Sequence, residues 1–166
     1  MKEKLKLRIE DTISDVFDGE MKDNLLNFVV YLRENKMNPS RSSAVSYKIS
    51  CKGFVVGYIR INKDNNSVQI SPFLDVYDGN SLSDELKAIV WANKGHGLPC
   101  GEGCHKCNRL NAILGKVYDD ACYQSVCFVN PTLSEVECIQ KLFVLRRDVI
   151  RSGNAKCGIP INFGNK

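Results

Sequence analysis

The sequence lacks long apolar runs and the short motifs of nucleotide-driven or nucleophilic catalysis. Its longest apolar stretches, residues 25–32 and 142–145 among them, are short and interrupted, so we expect no transmembrane span. The charged N-terminus has no continuous apolar segment of the kind that a secretory signal requires, which predicts a cytoplasmic protein. No GxxxxGK(S/T) phosphate loop, GxGxxG dinucleotide fingerprint or hydrolase motif occurs. We therefore expect no nucleotide cofactor, and the sequence is more typical of a non-enzyme.

The sequence also has little excess of either charge. Its 23 basic and 19 acidic residues are interspersed and leave a formal net charge of +4. This balance favours solubility over a polyanion-binding surface, so nucleic acid is the less favoured partner. The 166 residues, of which 43% are hydrophobic and 25% charged, are enough for one globular domain with a single core.

Hydrophobic periodicity predicts two helices at the start of the chain. Apolar residues recur at helical spacing over residues 9–17 and, after the break at Asp18-Gly19, over residues 21–32. The second helix should end near Lys36, because the Asn-Pro that follows cannot continue it. We expect residues 39–43 to form a polar loop.

From residue 45 onward the apolar period changes to two, which predicts three antiparallel strands. These strands are residues 45–50, 54–61 and 68–71, separated by turns at Lys52-Gly53 and at residues 63–67. Further elements follow in order: a helix capped by Ser81 with apolar residues 82–90, short candidate strands at 112–118 and 123–129, and a last helix that starts at Asn130-Pro131-Thr132 with Glu135.

The order of these elements predicts an α+β fold in one domain spanning residues 1–166. We expect an antiparallel sheet of about five strands covered by three or four helices, with a cysteine-rich loop. Residues 1–19 would form an N-terminal helical extension, and residues 152–166 an irregular tail.

Eight cysteines set the chain apart from an ordinary domain, and three of them cluster. Cys100, Cys104 and Cys107 lie within eight residues, with glycines between the first two that let the backbone curl. Thiolates this close together suit a zinc or iron–sulfur site, and without a secretory signal metal or thiol chemistry is favoured over disulfides. The spacing does not match the ferredoxin runs, so zinc is the predicted metal.

Cys122, Cys127 or His105 can supply a fourth ligand. Cys122 is preferred because it lies in a turn-like segment between two candidate strands, where a hairpin could return it to the cluster, whereas Cys127 alternates into a strand. Four thiolates leave no open position for a substrate, which indicates a structural role for the metal. The predicted ligands are Cys100, Cys104, Cys107 and Cys122, with His105 and Cys127 as alternates.

Two alternative interpretations of this region stay open. Cys104-His-Lys-Cys107 has the bare spacing of a redox pair, and its basic neighbours favour thiolates, so the chain could be a thiol-based redox enzyme or sensor. Some of the cysteines Cys51, Cys127 and Cys138 are instead expected to behave as small hydrophobic residues of the core. The second alternative is a nucleic-acid-binding protein with a basic rim formed by Lys106, Arg109 and Lys116.

Aromatic residues indicate where a small ligand could bind. Tyr47, Tyr58 and Trp91 could meet where the sheet faces a helix, and His96 lies in a glycine-flanked segment suited to a ligand or a base. Core packing is the more common role of such aromatics. The predicted pocket of Tyr47, Tyr58, Trp91 and His96 is therefore a hypothesis beside that of the metal site.

In the order of several features, the chain resembles a family of small uncharacterised bacterial proteins. The shared features are a helical start ending near Tyr31-Leu-Arg, strands before Trp91-Ala-Asn, the cysteine cluster, the element from Gly115 to Cys122, and Asn130-Pro131 before a last helix. The resemblance spans most of residues 20–150. The chain is also similar, more loosely, to the YdhG-like α+β fold. The resemblance implies Cys122 as the fourth ligand and no particular activity. We expect a cytoplasmic protein with a structural zinc site that binds a small ligand or a protein partner.

Overall fold

The computed structural model describes residues 7–74, 82–95, 112–118 and 126–153, and in them the predicted α+β fold is confirmed. Four helices accompany a five-stranded antiparallel sheet in the order β1-β2-β3-β4-β7, and β5 and β6 form a separate hairpin. The elements are α1 (Ile9–Val16), α2 (Gly19–Glu34), β1 (Asn38–Arg41), β2 (Ser46–Cys51), β3 (Phe54–Asn62), β4 (Ser67–Pro72), α3 (Asp84–Ala92), β5 (Ala112–Ile113), β6 (Lys116–Val117), β7 (Phe128–Val129) and α4 (Leu133–Arg151).

Short turns set the register of the central strands. Lys52 and Gly53 both have positive φ, +48° and +82°, as the two-residue turn of a β-hairpin requires. Asn130, directly after β7, pairs with Val68 of β4 at the edge of the sheet. Its side-chain oxygen accepts a hydrogen bond from the Val68 N–H at 2.9 Å, and its own N–H donates to the Val68 carbonyl. The strands β2, β3 and β4 therefore form the antiparallel meander that the alternating sequence predicts.

One face of the sheet carries the core. Tyr47, Ile59, Ile70 and Phe128 lie side by side across four neighbouring strands, and all are at most 1% exposed. The helices α2 and α4 pack on this face, where the rings of Phe28 and Phe143 meet edge to face with centroids 5.8 Å apart. The alternation of period two is thus the cause of a single apolar layer beneath the helices.

Gly57 lets α4 approach the sheet closely. A Cβ added at this position would lie 2.6 Å from the Ser71 carbonyl oxygen and 2.7 Å from Cζ of Phe143. The β2–β3 register also shifts beside it, between Ile49 and Ser50. The Phe143 ring therefore occupies the space that any larger residue at position 57 would need.

The first helix packs into the core. Ile9 and Ile13 are 2% and 1% exposed, and the Thr12 hydroxyl shares a buried 2.6 Å hydrogen bond with the Tyr47 hydroxyl. Glu10 binds Arg33 of α2 through an ion pair of 2.5 Å. The helix is thus joined to the sheet and to its neighbouring helix by polar as well as apolar contacts.

Three local predictions are corrected by the structure. Residues 39–41 of the predicted polar loop belong to the edge strand β1, where Pro39 pairs with Ile49 of β2, although no apolar alternation marks this segment as a strand. Residues 112–118 are a tight hairpin rather than one strand, since Leu114 and Gly115 both have positive φ. The side chain that caps α3 belongs to Ser83, which accepts a hydrogen bond from the Leu86 N–H.

The start of the last helix is confirmed. Thr132 and Glu135 form a reciprocal capping box, in which the Thr132 side chain accepts from the Glu135 N–H and the Glu135 carboxylate accepts from the Thr132 N–H at 2.8 Å. Across the described ranges, no helix is both long enough and apolar enough to cross a bilayer.

Candidate functional site

The predicted metal ligands fall mostly outside the residues that the structure describes. This applies to the alternate ligand His105, to His96 of the predicted pocket, and to all four preferred ligands, Cys100, Cys104, Cys107 and Cys122. Within residues 7–74, 82–95, 112–118 and 126–153, no group of three or more His, Cys, Asp or Glu side chains is placed to hold a metal ion. The geometry relevant to the cysteines is therefore that of the residues on either side of them.

The residues that flank the two cysteine segments lie together at the end of α3. Lys94 forms an isolated antiparallel bridge with Val126, and the Cys127 N–H donates to the Asn93 carbonyl at 3.0 Å. A Cβ built on Gly95 would lie 3.9 Å from the Cβ of Cys127. The chain thus enters residues 96–111 beside the point where it leaves residues 119–125.

The β5–β6 hairpin is held at the same place. The indole Nε1 of Trp91 donates to the Ile113 carbonyl at 2.8 Å, and Ile113 is only 2% exposed. The Lys116 ammonium lies 5.4 Å from the Trp91 ring centroid and 5.6 Å from that of Tyr118. The Lys94 ammonium also lies over the Tyr118 ring, 4.8 Å from its centroid. We call Trp91, Lys94, Ile113, Tyr118 and Val126 the anchoring frame.

Asn93 and Glu135 join the anchoring frame to α4. The Asn93 amide donates to the Ile89 carbonyl and to Oε1 of Glu135, each at 3.0 Å. Burial alone would raise the pKa of Glu135, but hydrogen bonds from the Thr132 N–H and the Asn93 amide outweigh it and hold that pKa below its usual value. The capping carboxylate of α4 is therefore kept ionised and also supports the frame.

The three cysteines in the described residues differ in environment. Cys51 and Cys138 are buried in the core, as expected of small hydrophobic side chains. Burial raises the pKa of the Cys138 thiol to about 11, and its sulfur lies 3.8 Å from the Leu86 carbonyl oxygen. Cys127 is half-buried beside the anchoring frame. Of the described cysteines, it lies nearest along the chain to the predicted metal ligands.

The structure does not bring Tyr47 and Tyr58 of the predicted pocket together. Tyr47 pairs with Ile59, so Tyr58, the preceding residue on β3, points to the opposite face of the sheet. Tyr58 packs there against Phe73, with ring centroids 5.6 Å apart. Trp91 belongs to the anchoring frame, so the described aromatics of this prediction occupy three different environments.

Arginines that the sequence analysis did not single out line a cleft at the other side of the molecule. They are Arg8, which precedes α1, Arg33 of α2 and Arg41 of β1, and they share an opening of about 170 Å³. Glu10 lies among them, and burial would raise the pKa of its carboxyl, but hydrogen bonds and the charges of Arg33 and Arg8 lower it overall. These arginines lie in three different segments and follow no motif, so only the fold brings them together.

Comparison with protein-family models, with curated proteins and with solved structures gives no match for this chain. The resemblance to small bacterial proteins of the same feature order therefore stays a prediction.

Proposed function

We propose that this is a cytoplasmic protein with a structural zinc site formed by Cys100, Cys104, Cys107 and Cys122. The metal would hold residues 96–111 and 119–125 against the anchoring frame, and the loop so formed would present a surface to a small ligand or a protein partner. The donor set supports zinc, because four thiolates complete a closed tetrahedral site of the structural kind.

The observation that carries the proposal is the convergence of the flanking residues. Gly95, Tyr118 and Val126 adjoin three of the four points at which the chain enters or leaves the two cysteine segments, and contacts of the anchoring frame hold all three close to α3. Ligands on two segments that start and end at one place need little additional loop closure to reach a common ion.

The test is elemental analysis of the freshly purified protein, combined with thiol titration before and after chelation. We expect one zinc per chain and four cysteines that react only after the chelator is added. Cys122→Ser should lose the zinc, whereas Cys138→Ser, which changes a core thiol away from the frame, should keep it. Zinc retained in Cys122→Ser and lost in Cys127→Ser would instead assign the fourth position to Cys127.

The redox alternative makes the opposite prediction from the same experiment. A thiol-based enzyme or sensor would contain no metal and would show two fast-reacting thiols that an oxidant converts to a disulfide. Nucleic-acid binding through Lys106, Arg109 and Lys116 predicts affinity for DNA or RNA at low salt that falls steeply as salt is added. Lys116 already lies against the rings of Trp91 and Tyr118, which favours a role within the frame.

A further inference from the structure

The cleft at the β1 edge of the sheet is lined by three arginines and a serine. It lies where the start of α1, the end of α2 and β1 meet, and its volume is about 170 Å³. Its polar lining residues are Arg8, Arg33, Ser40, Arg41 and Tyr47. We call these five residues the arginine cleft.

Hydrogen bonds hold the guanidinium groups of the arginine cleft in place. Arg33 Nη1 and Arg8 Nη2 lie 2.5 and 3.2 Å from the same oxygen, Oε1 of Glu10, so these two groups are close neighbours. Arg41 donates from Nε and Nη2 to the carbonyls of Ser43 and Ala44, each at 3.1 Å. Positioning these long side chains before a ligand arrives reduces the entropy cost of binding.

The charge of this cluster is unbalanced. Arginine keeps its positive charge at all ordinary pH values, and the lowered pKa of Glu10 keeps that carboxylate negative. A second carboxylate, that of Asp11, accepts a hydrogen bond from the Arg8 backbone N–H at 3.2 Å. Three guanidinium groups beside two carboxylates leave one positive charge. Among the described residues that line the cleft, none is acidic, so this excess faces the opening.

We propose that the arginine cleft binds the phosphate group of a small phosphate monoester. Such a group carries close to two negative charges at pH 7, opposite in sign to the excess charge of the cleft, and offers three acceptor oxygens that suit the planar donors of arginine. The volume of about 170 Å³ is below the roughly 300–1,000 Å³ of pockets that enclose a whole ligand. The cleft therefore holds the phosphate, and the rest of the molecule extends through the open side.

This inference does not depend on the zinc site. The arginine cleft adjoins β1, whereas the anchoring frame adjoins β7 through Val126, and these strands are the opposite edges of the sheet. A chain that binds no zinc could still bind phosphate, and the reverse also holds.

The test is calorimetric titration of the full chain with inorganic phosphate, glycerol 3-phosphate and acetate, with the ionic strength held constant by chloride. We expect saturable binding of both phosphates, and binding of acetate weaker by about tenfold or more because it has one charge. Arg33→Gln and Arg41→Gln should each weaken phosphate binding by about tenfold or more. Arg60→Gln, on the opposite face of the sheet from Ile59, removes one positive charge elsewhere and should change it little.

Other outcomes would overturn the proposal. Absence of saturable phosphate binding excludes it, and equal binding by Arg33→Gln, Arg41→Gln and the control shows that phosphate binds elsewhere. Binding of acetate as tight as that of phosphate rejects the assignment to a doubly charged group. Among the described residues, the Arg41 side chain bonds to carbonyls of the exposed turn, so Arg41→Gln keeps the test decisive if Arg33→Gln does not fold, as judged by circular dichroism.

Discussion

At the scale of single residues, Gly57 decides how closely α4 packs on the sheet. The ring of Phe143 occupies the space that a side chain at this position would need, and the Ser71 carbonyl oxygen bounds the same space from the neighbouring strand. Backbone on one side and a packed aromatic ring on the other leave little room for adjustment. The absence of one methyl group therefore sets the distance between two layers of the fold.

We predict that Gly57→Ala destabilises the protein by about 1–3 kcal/mol, because the new Cβ overpacks the contact between β3 and α4. Urea unfolding followed by circular dichroism measures the change. Gly95→Ala is the matched control, since the nearest described atom to its Cβ, the Cβ of Cys127, lies at an ordinary 3.9 Å. Equal stability of the two variants would show that the helix can move away from the sheet without cost.

Glu10 should make stability depend on acid pH. Although burial raises the pKa of its carboxyl, hydrogen bonds and the charges of Arg33 and Arg8 lower it overall below the ordinary 4.5. A carboxyl with a depressed folded-state pKa stabilises the fold above its unfolded-state value, and this contribution disappears as pH falls through the folded-state value. Glu10→Gln should therefore be less stable than the parent at pH 7, and the difference should shrink as pH falls below 4.5.

Urea unfolding at a series of pH values checks this dependence. Asp23→Asn, at an exposed position of α2, removes the same charge and serves as the control. A difference between Glu10→Gln and the parent that is constant from pH 7 to pH 3 would contradict an ionic role of Glu10.

At the scale of elements, local signals explain which parts of the fold could be predicted. The strands β2, β3 and β4 and the start of α4 follow from alternation, a Lys-Gly turn and a capping box, which act within a few residues. The strand β1 escaped prediction because Asn38–Arg41 has no alternation and is a strand only by pairing with β2. The arginine cleft also escaped, since its arginines approach one another only after α1, α2 and β1 have packed.

The capping box of α4 should contribute to global stability. Thr132→Ala removes the acceptor for the Glu135 N–H and the partner of the Glu135 carboxylate, and we expect a loss of about 1 kcal/mol. Thr132→Ser keeps the hydroxyl and should restore most of the loss. Thermal unfolding of the three proteins measures this, and a serine variant no better than the alanine variant would show that the methyl group, not the hydroxyl, is responsible.

At the scale of the whole molecule, the sheet separates two regions of different chemistry. One edge adjoins the arginine cleft, and the other adjoins the anchoring frame that flanks the cysteines. The core between them is formed by β2, β3 and β4 with α2 and α4. A change at one region therefore need not alter the other.

Removal of the proposed zinc should accordingly have a local effect. After chelation we expect hydrogen exchange to increase in residues 112–118 and at Cys127, whose N–H donates to Asn93, because these residues depend on the frame. Exchange in β2 and β3 should stay unchanged. Hydrogen-exchange mass spectrometry checks this, with Cys122→Ser as the genetic equivalent of the chelator, and uniform loss of protection would mean that the metal holds the whole fold.

Pro39 in β1 also bears on how copies of the chain meet in solution. Proline lacks a backbone N–H, so the outermost strand at this side of the sheet cannot present a full row of donors to another polypeptide. The outermost strand at the other side, β7, has only two residues and is followed by Asn130-Pro131. In the described part of the chain, both edges of the antiparallel sheet are thus poor templates for strand addition, which protects the fold from intermolecular β-aggregation.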